Sequence, residues 1–222
     1  LWTAPPGRDN AGVLVLLDTL RRTLLVPSSA MVAVAAAALA WFGTWLAGSV
    51  LGGSEGFVDE VRAASLLFAA ALALSMAEPL LVAREARSGL LTLRVARGGG
   101  FALGWRWAGL ALSTLPAVSL AAWAGSGWPE RPLAVLMDLS ILAAGGVFLG
   151  AWLERGLAVP ALWCLLVVGN LRPWLGDHWV AWLVPGLGGL SGVTGALYAA
   201  LWCVALLLLA NHRLGTVVAR SD

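Results

Sequence analysis

Residues 30–51 read AMVAVAAAALAWFGTWLAGSVL, 22 consecutive positions without an ionisable side chain. At about 1.5 Å of rise per helical residue the stretch reaches about 33 Å, enough to cross a hydrocarbon core of about 30 Å. Alanine, valine, leucine and aromatic residues surround it on every side, so it has no polar stripe to turn toward water. The rest of the chain repeats the pattern. Nearly charge-free stretches recur at 63–83, 107–129, 133–153 and 156–171. The last apolar run, 179–211, is too long for one helix and is broken by Pro185, Gly186, Gly188, Gly189, Gly192 and Gly195. It reads as a re-entrant or interfacial segment at 179–191, carrying Pro185 and Gly186, followed by a helix at 193–211. Irregular backbone at that depth is tolerated only where it packs on protein or lines a cavity. The expected fold class is an all-α polytopic membrane protein with six transmembrane helices.

Composition supports lipid as the main solvent. The 222 residues are 60% apolar and 12% charged, against roughly 45–50% and about 25% in soluble domains. Mean hydropathy is +0.86. Every one of the 14 basic residues is arginine, so the lysine of a GxxxxGK[ST] phosphate loop is absent and that route to ATP hydrolysis is excluded in this chain. A net charge of +2 leaves no electrostatic footprint for nucleic acid. Cys164 and Cys203 both fall inside apolar runs, which excludes a secreted disulfide scaffold. No HExxH or CxxC occurs, and Asp and Glu do not cluster at ligand spacing within a span. The chain is therefore expected to be non-catalytic, with no serine nucleophile, no metal site and no cofactor of its own.

Arginine placement orients the chain. With the N-terminus cytoplasmic, the inner segments hold Arg8, Arg21, Arg22, Arg84, Arg87, Arg94, Arg97, Arg106, Arg155, Arg213 and Arg220. The outer segments hold only Arg62, Arg131 and Arg172. Both termini come out cytoplasmic, and His178 and His212 fall on opposite sides. Tryptophans 105, 107, 128, 152, 174 and 179 collect near the ends of spans, as an aromatic belt does. Residues 1–29 form a cytoplasmic N-terminal segment. Its short apolar core, 13–17, is followed by no small-residue cleavage site, so it reads as a helix rather than a leader. Asp18, Arg21 and Arg22 on one side and leucines on the other predict an amphipathic helix along the inner membrane surface, turning upward at Pro27. Residues 30–211 form the membrane domain and 212–222 a cytoplasmic tail.

The inner loop 83–100 reads AREARSGLLTLRVARGGG. Its charges at 84, 85, 87, 94 and 97 flank an apolar set at 90, 91, 93 and 95, and a triple glycine ends it. That pattern predicts a short amphipathic helix across the cytoplasmic face, either a solvated positive-inside loop or a docking element for a cytoplasmic partner. Within the spans, ionisable residues are functional candidates. Glu78, followed by Pro79, is either a snorkelling helix-end residue or half of a gate or docking pair with Arg84 or Arg106. Asp138 is expected near the outer interface, as a helix-start residue or an intramembrane polar site. Gly146 and Gly150 form a GxxxG pattern that allows close helix approach.

The layout and the 83–100 loop together resemble the ABC-2 type permeases of ATP-binding-cassette transporters. There a motif close to E-R-E-x-G-T-L, then a small-residue or proline stretch and a basic residue, joins spans two and three. Glu85, Gly89, Leu91 and Arg106 occupy the matching positions; Arg87 replaces the second acid, Leu90 the threonine, and Gly98-Gly99-Gly100 the proline-containing segment. The resemblance implies a transmembrane exporter subunit in a bacterial cytoplasmic (inner) membrane, with a hydrophobic or lipid-like cargo. It implies a second permease chain, as homodimer or heterodimer, and separate cytoplasmic ATPase subunits that bind ATP and Mg. It makes 83–100 a coupling helix, with Arg84, Glu85, Arg87, Gly89, Leu91, Arg94 and Arg97 as docking residues. The compact length and Leu153-Glu154-Arg155-Gly156 are also similar to the haem-exporter B subunit of cytochrome c maturation, an alternative within the same family. A membrane scaffold or embedded enzyme using Glu78 or Asp138 is the reading outside it.

Overall fold

The computed structural model describes residues 8–25, 27–77, 101–153, 155–170 and 192–218. Among these residues there are seven α-helices and no strand. In chain order they are α1 (Arg8–Leu24), α2 (Pro27–Trp45, continued by a π-helical turn at Leu46–Val50), α3 (Glu55–Ala77), α4 (Phe101–Ala124), α5 (Pro132–Trp152), α6 (Arg155–Asn170) and α7 (Gly192–Val218). Four are long and apolar enough to cross a membrane, over Ser28–Val50, Leu103–Ala124, Pro132–Trp152 and Gly192–Leu214. The other two expected spans are also helices. The first two turns of α3 carry Glu55, Asp59, Glu60 and Arg62, and α6 has 16 residues.

α5 is the centre of the bundle. Of its apolar window 61% is buried, against 28% in α2 and in α7. It touches α3, α4 and α6 and packs most extensively on α7. Small side chains allow this crowding: Ala69, Ala70 and Ala71 of α3 and Ala143 and Ala144 of α5 are fully buried. Without a water-driven force between helices, close backbone approach through small residues is what binds apolar helices in lipid. Proline at the start of α5 costs nothing, because the first N–H groups of a helix have no intrahelical partner.

The outward faces are apolar too. Val193, Leu197, Leu201, Val204 and Leu208 form one exposed stripe at helical spacing along α7, and Met31, Val34, Trp41, Phe42 and Trp45 cover the outside of α2. Contiguous apolar faces of this length have no place on a monomeric water-soluble protein. Such faces are compatible with a helical protein embedded in lipid.

Helix boundaries depart from the sequence reading where charge lies inside a helix. α4 starts at Phe101 rather than at the residue after Arg106, so Arg106 lies inside it. α7 runs to Val218 and carries His212 and Arg213 within the helix, where a tail was expected from 212. α1 packs along α4 in register: Gly12 lies against the Trp105 indole, Thr19 against Gly109, and Thr23 reaches the wall formed with Ser113 and Pro116. It therefore runs beside the first three turns of α4 in the same direction.

Candidate functional site

Most of the candidate residues, Glu78, Arg84, Glu85, Arg87, Gly89, Leu91, Arg94, Arg97, Pro185 and Gly186, lie outside the described residues, as does His178. Arg106 and Asp138 are described, and both are buried. Arg106 is 1% exposed, on the α4 face shared with Leu103 and Leu110. A guanidinium loses several kcal/mol of hydration, of order, when fully buried, so such a group persists only where neighbours engage it. Arg106 is engaged. Asp138 is 8% exposed and also engaged. It sits in the second turn of α5, which begins at Pro132. Stabilisation by the helix dipole falls off within the first turn, so helix-start stabilisation does not explain its position.

The elbow between α1 and α2 is the next polar feature. Asp18 accepts from the Arg22 Nε at 3.0 Å, one turn apart on α1. The C-terminal carbonyls of α1 are closed locally: Leu25 N–H donates to the Arg21 carbonyl at 3.2 Å and the Ser29 hydroxyl to that of Leu24 at 2.9 Å. Pro27 then restarts the helix as α2. Between this elbow, the end of α3 and the middle of α4 lies a cavity of about 320 Å³. Pro116, on its α4 side, has no N–H for the carbonyl four residues back, which loosens the helix there.

The expected outer end is a clasp of polar contacts. Arg62 Nε donates to the Gly125 carbonyl at 3.2 Å, and the Glu130 N–H donates to the Asp59 carboxylate at 3.0 Å. Both join the first turns of α3 to the turn between α4 and α5. That turn reverses tightly: Ser126 has φ of 71° and Gly127 of 117°, with Gly127 N–H returning to the Ala122 carbonyl at 2.8 Å. At the opposite end of the bundle, Trp152 Nε1 donates to the Leu209 carbonyl at 3.2 Å and the Arg213 guanidinium lies 5.5 Å from the Trp152 ring centre. In between, Trp107 Nε1 reaches across from α4 to the Ser140 carbonyl of α5 at 2.9 Å. Tryptophan thus joins helices here, beyond the interfacial role its positions suggested.

One correction concerns serine. Gly52-Gly53-Ser54-Glu55-Gly56 has the GxSxG spacing of a nucleophile elbow, against the expectation that the sequence holds no such motif and offers no serine nucleophile. That motif needs a strand-to-helix turn with a histidine at hand. Here it joins two helices: Gly52 takes φ of 60°, and Ser54 caps α3, its hydroxyl accepting from the Phe57 N–H at 3.4 Å. Among the described residues the only histidine is His212, near the other end of the bundle on α7. Ser54 is a helix cap. Nor do His, Cys, Asp and Glu gather in a metal-holding group among the described residues.

The GxxxG reading is refined as well. The close approach on α5 is made by Gly145, where an added Cβ would run into the Leu165 side chain of α6, while Gly146 has no atom within 4 Å of that point. Compared with known protein families, curated proteins and solved structures, the chain matches none.

Proposed function

We propose that this chain is the transmembrane permease subunit of an ABC-2 type exporter. In this reading α2 to α7 supply six crossings, both termini are cytoplasmic, and 83–100 is the coupling helix. Glu78 is then half of a gate or docking pair with Arg84 or Arg106, and 179–191 is a re-entrant dip on the outer side. Two cytoplasmic ATPase subunits close on ATP and push the coupling helix. A binding site between two permease chains changes affinity with that motion, because a ligand shifts an equilibrium only by its differential affinity for the two states. A hydrophobic or lipid-like cargo suits spans with so few polar groups. The membrane is the inner membrane of a bacterium.

The observation that carries the reading is the Glu85, Gly89, Leu91 and Arg106 spacing in the connector between the second and third expected spans. It is supported by a helix ahead of the first crossing, by four helices of spanning length, and by an arginine held inside α4 a few residues beyond that connector.

The test is affinity purification of the full chain from mild detergent. Co-purification with a Walker-motif ATPase is expected, and Glu85→Ala with Gly89→Pro should abolish it while the chain still elutes as a single folded species. Full-affinity ATPase binding by the double variant rejects the docking loop. An isolated complex with haem absorbance favours the cytochrome c assembly alternative, and a complex with neither ATPase nor haem rejects the family.

A further inference from the structure

The cavity at the α1–α2 elbow, at about 320 Å³, falls in the range of about 300–1,000 Å³ typical of small-molecule sites. Part of its wall is apolar, made by Val32 of α2 with Ala73 and Met76 of α3. Met76 is 57% and Leu24 is 38% exposed, so the cavity opens onto the outside of the bundle. Another part carries hydroxyls deep in the fold: Thr23 of α1 is 6% exposed and Ser113 of α4 is 8% exposed.

These two hydroxyls are fixed in one sense. A serine or threonine hydroxyl has one proton to give and lone pairs to receive with. Thr23 gives its proton to the Thr19 carbonyl at 2.9 Å, shared with that of Leu20 at 3.2 Å, and Ser113 gives its own to the Leu110 carbonyl at 2.8 Å. Each therefore meets the cavity as an acceptor. Of the described lining residues only Arg22 is ionisable; Asp18 holds its Nε at 3.0 Å, and a further contact engages it. A charged head would give up its hydration here for no uncommitted counter-charge, and a cationic one would also meet the guanidinium. A plain hydrocarbon leaves both buried acceptors unanswered. Water answers them but gains nothing from the apolar wall. An uncharged amphiphile with a hydroxyl head uses both parts.

We propose that this cavity binds a neutral, hydroxyl-headed lipid of the monoacylglycerol class. Its hydroxyls donate to Thr23 Oγ1 and Ser113 Oγ, and its chain leaves past Val32, Ala73 and Met76. Burial of methylenes supplies affinity that a headgroup contact alone lacks. The hydrogen bonds select the head, because a ligand without a proton to give leaves buried acceptors unmet. Bound there, the lipid ties α1 to α3 as well as to α4. The inference goes beyond the permease reading and needs only a chain embedded in a bilayer.

The test places the full chain in phosphatidylcholine nanodiscs, whose lipid heads carry no hydroxyl, with a photoreactive monoacylglycerol as the probe. Matched discs carry its di-O-methyl ether, which has the same chain and oxygens but no proton to give. Crosslinked peptides from the first discs are expected to concentrate on 22–33, 73–76 and 113–117. Thr23→Val and Ser113→Ala should each lower that labelling about fivefold, the factor that loss of one neutral hydrogen bond carries. Thr23→Ser keeps the acceptor and should preserve it. Ala33→Phe should abolish it by filling the cavity, and Ala73→Leu fills it from α3 should Ala33→Phe fail to fold. Equal labelling by the ether overturns the proposal. So does undiminished labelling of folded Thr23→Val and Ser113→Ala chains, or a folded filling variant that still labels. Displacement of the probe by an equimolar alkylamine or fatty acid of the same chain length would assign the cavity to a charged head, and the neutral lipid would be rejected.

Discussion

Glycines in α4 and α5 show how differently one residue type is used in the same bundle. At Gly109 an added Cβ would meet Thr19 Cβ and Cγ2 at 3.0 Å each. Thr19 is β-branched, wholly buried and bonded to the Val15 carbonyl at 2.8 Å, so it has little freedom to move aside. Gly109→Ala should therefore cost about 1–3 kcal/mol through overpacking, read as a lowered melting temperature in detergent. Thr19→Ala in the same chain should recover only part of that loss, because it removes Cγ2 but leaves the Cβ that the new methyl also meets at 3.0 Å. Gly146→Ala is the opposite case. With nothing within 4 Å of the new methyl, it should be neutral or should stabilise by up to about 1 kcal/mol, the helix propensity gained. Equal losses at Gly109 and Gly146 would contradict the packing described here. The sequence marked Gly146 through its GxxxG spacing, yet the intimate contact belongs to Gly145. Spacing alone cannot say which face of α5 meets α6.

At the scale of elements, hydrophobic run length pointed to helices where α2 to α7 lie, four of them of spanning length, and the charge pattern pointed to α1 before them. It missed where charge or geometry is local. The four charged residues opening α3 read as a loop, but Ser54 caps the helix and Arg62 and Asp59 bond to the opposing turn, so the charges sit on ordered helix. Arg106 read as a flanking charge because the positive-inside rule counts arginines without knowing which ones neighbours can engage. The π-helical turn at Leu46–Val50, with Leu51 N–H bonding to the Leu46 carbonyl at 2.9 Å, left no sign in the sequence. Of the candidate site, Arg106 and Asp138 were legible as residues; their burial was not. The α3 clasp gives this scale its own test. Asp59→Ala removes the acceptor of the Glu130 amide, so hydrogen exchange there should accelerate several-fold. An exposed contact of this kind is worth only about 0.2–1 kcal/mol, and the melting temperature should barely move. Unchanged exchange at Glu130 would mean that the clasp does not form in the membrane.

For the whole molecule, the contacts define two ends that can be labelled separately. One end carries the α3 clasp and the turn at Ser126, which is exposed; the other carries Trp152, Arg213 and the short link from α5 to α6. The arginine bias assigns the first to the outside and the second to the cytoplasm. Cys164 is exposed only on an apolar helix and Cys203 is buried, so neither should react with a membrane-impermeant maleimide, and both can be replaced by serine as a background. In that background Ser126→Cys should label in intact cells. Leu153→Cys should label only after the membrane is permeabilised. The reverse pattern would put the 83–100 connector on the outer side, beyond the reach of any cytoplasmic ATPase. The permease reading would then fail.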